Sequence, residues 1–359
     1  MAQVHCVGHS HIDPVFMWDW REGYEATRAT FKTVVQLLDE YPEFTFSATS
    51  AALFAWIEEG DPDLFRAVRE KVQEGRWTLA GGWWVEPDCN MPHGESLVRQ
   101  ALHGQRYFKS RFGAGATVGM NPDSFGHAAT IPQILAKSGC DAYFFMRPER
   151  HEKELPGNLF WWEAPDGSRV LAVRLKSYLG PANHDSVREI AGDHFAGEHK
   201  LFFYGVGNHG GGVTRASIDY LLDFRAKAGE GDPKILFSTP ERFRDAVKES
   251  AGAASERNGE SRERGGGPTR LAGLPVVRGE LQHHARGCYS TVPDLKRLNR
   301  LAEHRLLAAE RFAAVAHGVL GAPYPHEMLD RAWKDTLYLQ FHDALPGTCV
   351  PEAVEDARR

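Results

Sequence analysis

Two histidines and an aspartate at alternate positions stand where an apolar run ends. The stretch is Gly8-His9-Ser10-His11-Ile12-Asp13-Pro14, reached after Val4 to Val7. On extended backbone His9, His11 and Asp13 project from one side. Neutral imidazole and carboxylate both ligate a divalent ion such as zinc. These residues do not complete a ligand set, so the rest of the chain has to supply one.

Two later stretches offer complementary groups. Asp123 lies in Asn121-Pro122-Asp123-Ser124-Phe125-Gly126-His127, and His342 in Gln340-Phe341-His342-Asp343-Ala344-Leu345-Pro346-Gly347. Taken alone, Asp123 also reads as a turn or helix-cap aspartate, and His342 as a capping or core histidine. Together with His11 and Asp13 they make a two-histidine, two-carboxylate set. Such mixed ligands fit zinc, and by ligand type manganese or cobalt as well. Four protein ligands normally close a structural zinc site. Catalysis therefore requires coordination that expands to admit substrate oxygens, or one carboxylate serving two roles. A further stretch, Gly205-Val206-Gly207-Asn208-His209-Gly210-Gly211-Gly212, is dense in glycine and lets backbone approach a ligand closely. It lacks the lysine of a phosphate-binding P-loop.

The elements that must position these groups alternate. A helical face runs through Phe31, Val34, Val35 and Leu38, then strand-like Phe44–Ser47 follows. Asp61-Pro62-Asp63 starts another helix, and Trp77–Ala80 reads as a strand. Glu95–Phe112 is helical, Thr117–Met120 a strand, Pro132–Gly139 a short helix and Ala142–Met146 a buried strand. This alternation implies an α/β fold with a mostly parallel sheet or barrel, whose ligands bind beyond the carboxyl ends of the strands. Asp13 and Asp123 both fall at such ends. Trp161–Arg174 reads as a hairpin around Pro165-Asp166-Gly167-Ser168, and Leu201–Tyr204 and Val276–Leu281 as strands. Residues 249–273, rich in Gly, Ser, Glu and Arg, read as a disordered loop or linker. Thereafter Leu295, Leu298, Ala302, Leu306, Ala309 and Ala313 follow helical spacing, as do Leu329, Trp333 and Thr336 in a second helix. Pro351–Arg359 begins a third.

The 359 residues suit about two domains, and 42% hydrophobic with 25% charged residues suits a globular protein. A net charge of -6 makes no case for nucleic acid or an anionic membrane surface, and no run is long and apolar enough to span a bilayer. Five scattered cysteines without CxxC spacing argue for a reducing compartment. The chain enters its first strand with no signal-peptide pattern, so the expected location is the cytoplasm.

The stretches His9-Ser10-His11-Ile12-Asp13-Pro14, Pro122-Asp123-Ser124-Phe125-Gly126-His127 and Gln340-Phe341-His342-Asp343 to Thr348 resemble the signatures of glycoside hydrolase family 38, the zinc-dependent α-mannosidases. Glu86-Pro87-Asp88-Cys89-Asn90, Gly279-Glu280-Leu281 and Arg286-Gly287-Cys288-Tyr289 extend the resemblance over the whole chain. It implies a (β/α)7-type barrel over residues 1–285 and a C-terminally truncated three-helix bundle over 286–359, without the family's β-sandwich domains. It also implies one zinc ion per chain on His11, Asp13, Asp123 and His342, with Asp123 doubling as the nucleophile that forms a covalent mannosyl-enzyme. The implied substrate is an α-mannoside oligosaccharide or glycan, contacted by Asp343, Phe16, Trp18, Arg147, Asn208 and Tyr289. Two positions depart from the family pattern. Asn208-His209 stands where relatives carry an aspartate, so the acid/base is either His209 or another carboxylate. Phe16 stands where a tryptophan platform is expected, with Trp18 or Trp20 assisting.

A metal-dependent deacetylase is the nearest enzymatic rival, using zinc-bound water and no ligand from the helical region. A chain that binds zinc and sugar without turnover is the non-enzymatic one. An esterase, suggested by the oxyanion-loop likeness of His209-Gly210-Gly211-Gly212, is excluded because no GxSxG nucleophile elbow exists anywhere in the chain. The short third helix further implies exposed apolar surface around Leu306, Phe312, Leu329 and Trp333, and self-association through it.

Overall fold

The computed structural model describes residues 1–192, 198–207, 210–257 and 273–358. The order is β1 (Gln3–His9), α1 (Trp20–Glu40), β2 (Phe46–Ala48), α2 (Ala51–Gly60), α3 (Pro62–Gln73), β3 (Trp77–Leu79) and α4 (Gly94–Phe112). Then come β4 (Val118–Asn121), α5 (Ile131–Lys137), β5 (Ala142–Phe145), β6 (Leu159–Glu163), β7 (Arg169–Arg174), α6 (His184–Ala191) and β8 (His199–Tyr204). The last are α7 (Arg215–Lys227), β9 (Lys234–Phe237), α8 (Pro240–Arg257), β10 (Val276–Arg278), a 3-10 turn at Arg286–Tyr289, α9 (Pro293–Leu320), α10 (His326–Tyr338) and α11 (Pro351–Arg358).

β1 is buried from Val4 to His9, as expected of a strand covered on both faces of a parallel sheet. β8 pairs with it along Gln3–Gly8 on one side. The other side carries β9 at Gln3–Cys6 and β2 at Gly8–His9, and β3 extends the sheet beyond β2. All these pairings are parallel. The second sheet runs β10-β6-β7-β5-β4 and is parallel except for the β6–β7 hairpin, the excursion expected at Trp161–Arg174. The fold is thus α/β and rich in parallel strands. Among the described residues the strands form two five-stranded sheets rather than the closed (β/α)7 barrel expected. The sheets still share a core: Val7, Leu201 and Phe203 from one meet Met120, Phe144, Leu171 and Val173 from the other. Single bonds such as Gly81 N–H to Val118 O, at 3.0 Å, link their edges without building a ladder.

Helices cover the outer faces. Phe31, Val34 and Leu38 of α1, Phe54 of α2 and Trp77 of β3 belong to one cluster, and Leu97 and Ile134 cover Tyr143, Phe160 and Trp162 in another. α8 continues to Arg257, so the segment from 249 begins as helix rather than loop; residues 258–272 lie outside the described ones.

α9 contacts both α10 and α11. Leu329 and Trp333 are buried, contrary to the exposure expected of them, because α10 also rests on α4. Arg99 of α4 lies over the Trp333 ring at 4.0 Å and makes two 2.7 Å bonds to Glu310, which also accepts from the Trp333 indole at 2.9 Å. Leu306 is partly buried. The exposed apolar residues of this region lie in the distal half of α9, where Phe312 is 76% and Val319 75% exposed, and at Met328 of α10, 73% exposed.

Candidate active site

The site forms where β1, β4 and α10 end. β1 stops at His9, so His11 and Asp13 lie in the following loop and strand alternation does not reach them. His9 departs from the expected common side. Its Nδ1 is 2.9 Å from Ser47 O on the neighbouring strand. Two close approaches hold the loop. A Cβ on Gly23 would sit 2.2 Å from Pro14 O, and one on Gly205 would sit 2.2 Å from His9 O. Only glycine permits that proximity. The Trp18 indole donates to Asp13 O at 2.9 Å, and Phe16 O accepts from Val350 N at 2.7 Å.

Within this frame His11, Asp13, Asp123 and His342 come together, all buried. His11 Nε2 is 2.9 Å from Asp13 Oδ1 and 3.9 Å from Asp123 Oδ2, and His342 Nε2 is 3.5 Å from Asp13 Oδ1. The two imidazoles stack with centroids 5.3 Å apart. Ligand atoms of His11, Asp123 and His342 lie within 4.8 Å of one another, and so do those of Asp13, His342 and Asp343. Both Nε2 atoms are buried and face the Asp13 carboxylate. Buried imidazole edges converging on carboxylates suit a divalent ion with nitrogen and oxygen ligands.

The electrostatics agree. Burial opposes charge on His11, yet Glu86 and Asp13 hold its imidazolium well above the ordinary value. His342 is raised to about 9, again against burial, by Asp13 and Asp343. Burial raises Asp343 to about 6, with His342 opposing and Asp13 adding. For Asp123 burial acts upward, but His11, His342 and Arg147 bring it below the usual carboxylate range. A site that gathers protons onto its imidazoles in this way can exchange them for a divalent cation.

The other expected residues surround this cluster. Arg147 Nε donates to Asp123 Oδ1, and Arg147 Nη1 is 3.2 Å from Glu149. Burial pushes His127 down to about 3, so its ring is neutral. With carbonyls only accepting, His127 Nε2 donates to Arg147 O at 2.8 Å and Nδ1 accepts from Tyr143 at 2.9 Å. The second motif's histidine therefore fixes the arginine that holds Asp123. Thr348 donates to Asp343. Phe16 meets Trp18 edge-on at 6.2 Å, and Tyr289 accepts from Asn90 at 2.8 Å. Asn208 and His209 lie outside the described residues. Their neighbours adjoin the site loop: Ser10 donates to Gly211 O at 3.0 Å, and a Cβ on Gly210 would sit 4.0 Å from the Trp18 ring.

Sequence reasoning gave no role to Glu86 or Tyr178. Glu86 Oε2 is 3.2 Å from His11 Nδ1, and its main-chain oxygen is 2.9 Å from His342 Nδ1. The Tyr178 ring stands edge-on to His11 at 4.9 Å. The signal that could have found Glu86 is its place in Glu86-Pro87-Asp88-Cys89-Asn90, one of the stretches that carry the family resemblance. Tyr178, in an irregular segment, carries no such signal.

Residues 1–263 match the family model described as glycosyl hydrolases family 38, N-terminal domain, and residues 283–359 the alpha mannosidase middle domain. The chain belongs to glycosyl hydrolase family 38. Alpha-mannosidase G of Dictyostelium discoideum is 33% identical over 99% of this chain and 31% of its own length. Human alpha-mannosidase 2C1 is 31% identical over 99% of this chain and 33% of its own length. The chain thus spans about a third of these relatives. An alpha-mannosidase structure from Enterococcus faecalis V583, 23% identical, superposes with a TM-score of 0.83, covering 100% of this chain and 40% of that one.

Proposed function

We propose that this chain carries the catalytic centre of a zinc-dependent retaining α-mannosidase acting on terminal α-mannosides of oligosaccharides or glycans in the cytoplasm. The observation that carries the reading is the convergence of His11, Asp123 and His342 ligand atoms within 4.8 Å, completed by Asp13. Membership of family 38 and the resemblance to named α-mannosidases along the whole chain support the substrate class. Residues 1–285 form the α/β catalytic domain, and 286–359 the helical domain that brings in His342.

One zinc, held by His11, Asp13, Asp123 and His342, would supply Lewis acidity toward sugar hydroxyls and favour a distorted ring. The chain's own residues do the rest. Arg147 and the two histidines keep Asp123 ionised, which a nucleophile requires. Its carboxylate attacks the anomeric carbon as the bond to the leaving oxygen breaks, giving a mannosyl ester on Asp123. An acid/base, His209 or another carboxylate, protonates the departing oxygen and then takes a proton from the water that cleaves the ester. Asp343, raised to about 6 and bonded by Thr348, accepts or donates to sugar hydroxyls. Phe16 and Trp18 offer an apolar edge to the ring, and Tyr289 and Asn208 complete the polar rim.

The test is hydrolysis of 4-nitrophenyl α-mannoside before and after chelation, with proton NMR of the first-formed sugar. Release that disappears with the metal, with the α-anomer formed first, supports the reading. Metal-independent release or β-mannose first overturns it. His342→Ala separates this from a deacetylase, which needs no ligand from the helical region.

A further inference from the structure

The buried acid Glu86 touches both histidines of the cluster by different atoms. It follows β3, is 2% exposed and has no arginine or lysine partner among the described residues. A buried carboxylate in such surroundings costs stability unless its oxygens are bonded. Thr49 donates to Oε1, and the Glu86 N–H donates to Ser50 Oγ at 3.1 Å, which fixes the residue at both ends. Oε2 is left facing His11 Nδ1 at 3.2 Å, and neither atom has a hydrogen-bond partner elsewhere among the described residues. The main-chain oxygen of the same residue accepts from the His342 amide at 3.2 Å and stands 2.9 Å from His342 Nδ1. A carbonyl and a carboxylate can only accept, so both Nδ1 atoms are the proton-bearing ones. That leaves each Nε2 aimed at Asp13.

We propose that Glu86 is the positioning residue for both histidines, its carboxylate holding the Nδ1 proton of His11 and its backbone carbonyl that of His342, so that each Nε2 lone pair is presented to the metal. This rests on the reading of His11 and His342 as ligands. A histidine ligand whose other nitrogen donates to a carboxylate is fixed in tautomer and ring orientation, and its basicity rises. Glu86 makes the two ligands answer to one residue. The division between side chain and main chain also gives the proposal a signature: changing the Glu86 side chain releases His11 and leaves His342 bonded.

The experiment uses the full chain labelled with 15N-histidine, as wild type, Glu86→Ala and Glu86→Gln. Zinc affinity is measured by chelator competition, and the protected Nδ1 protons by long-range proton–nitrogen NMR. Glu86→Ala is expected to weaken zinc binding by roughly 10- to 100-fold. It should abolish the His11 Nδ1 signal while that of His342 persists, and Glu86→Gln should fall between. Unchanged affinity, or an unchanged His11 signal, overturns the proposal. Loss of both histidine signals in the isosteric Glu86→Gln also overturns it, since that would show Glu86 merely holding the fold. Should the wild type bind no zinc, the metal reading falls, yet selective loss of the His11 proton still decides what Glu86 does.

Discussion

At the scale of single residues, the roles separate by measurement. Arg147→Gln removes the cation that helps keep Asp123 ionised, so Asp123 titrates at higher pH and the acidic limb of kcat/KM moves upward. A pH–rate profile reads this; an unmoved limb contradicts the pairing. His342→Ala removes one ligand of the cluster, and zinc content after dialysis is expected to fall below about a tenth of an equivalent. His11, Asp13, Asp123 and His342 were legible because ligand-type side chains stood at strand and helix ends in spaced motifs. His9 was misread, since strand periodicity was carried past the point where β1 stops and its ring turned to Ser47 O. Glu86 stayed hidden because its partners, His11 and His342, are remote from it in sequence.

Elements were legible where apolar runs or caps marked them, and less so where pairing decided the outcome. Asp61 caps α3 as its Asp-Pro-Asp signature suggests, accepting from Leu64 N–H at 3.2 Å, and the β6–β7 hairpin follows its Pro-Asp-Gly turn. Which strands meet edge to edge is set by long-range contacts, so a run such as Leu201–Tyr204 announces a strand without announcing a sheet. α8 continued beyond its apolar pattern into the Glu- and Ser-rich segment, whose Ala, Glu and Arg residues favour helix. The loop carrying His11 and Asp13 depends on Gly23 under Pro14. Gly23→Ala places a methyl 2.2 Å from Pro14 O, which must displace either the loop or the first turns of α1. The expected cost is about 1–3 kcal/mol in denaturant unfolding, with zinc affinity lowered in parallel. Wild-type values for both would show that the loop moves freely.

For the molecule as a whole, the helical region is anchored to the catalytic part more firmly than its pattern suggested. Trp333→Ala opens a cavity between α4, α9 and α10 and takes one donor from Glu310, which keeps Arg99, with an expected loss of about 3–5 kcal/mol by urea titration. Phe312→Glu, at a position 76% exposed, should leave unfolding unchanged and reduce any concentration-dependent association in light scattering. Stability should also depend on pH in a definite sense. Burial holds His5 and His103 down to about 4 and His127 to about 3. The unfolded chain takes those protons from about pH 6.5 downward. Their contribution is therefore complete above that value and lost as pH falls toward 4. His342, raised to about 9, works oppositely in the metal-free protein, its contribution complete below about pH 6.5 and lost toward 9. Calorimetry of the metal-free protein should show a melting maximum between these windows, and zinc should remove the alkaline decline; a decline that zinc leaves untouched would contradict the assignment of His342.

The covalent step at Asp123 is the centre of the proposed mechanism. The most direct measurement is peptide mapping by mass spectrometry after inactivation with a 5-fluoro-mannosyl fluoride, with and without prior metal removal. One mannosyl label per chain is expected, on the peptide containing Asp123, and none from the metal-free protein. A label on Asp13 or Asp343, or steady turnover of the reagent with no labelled carboxylate, would contradict it.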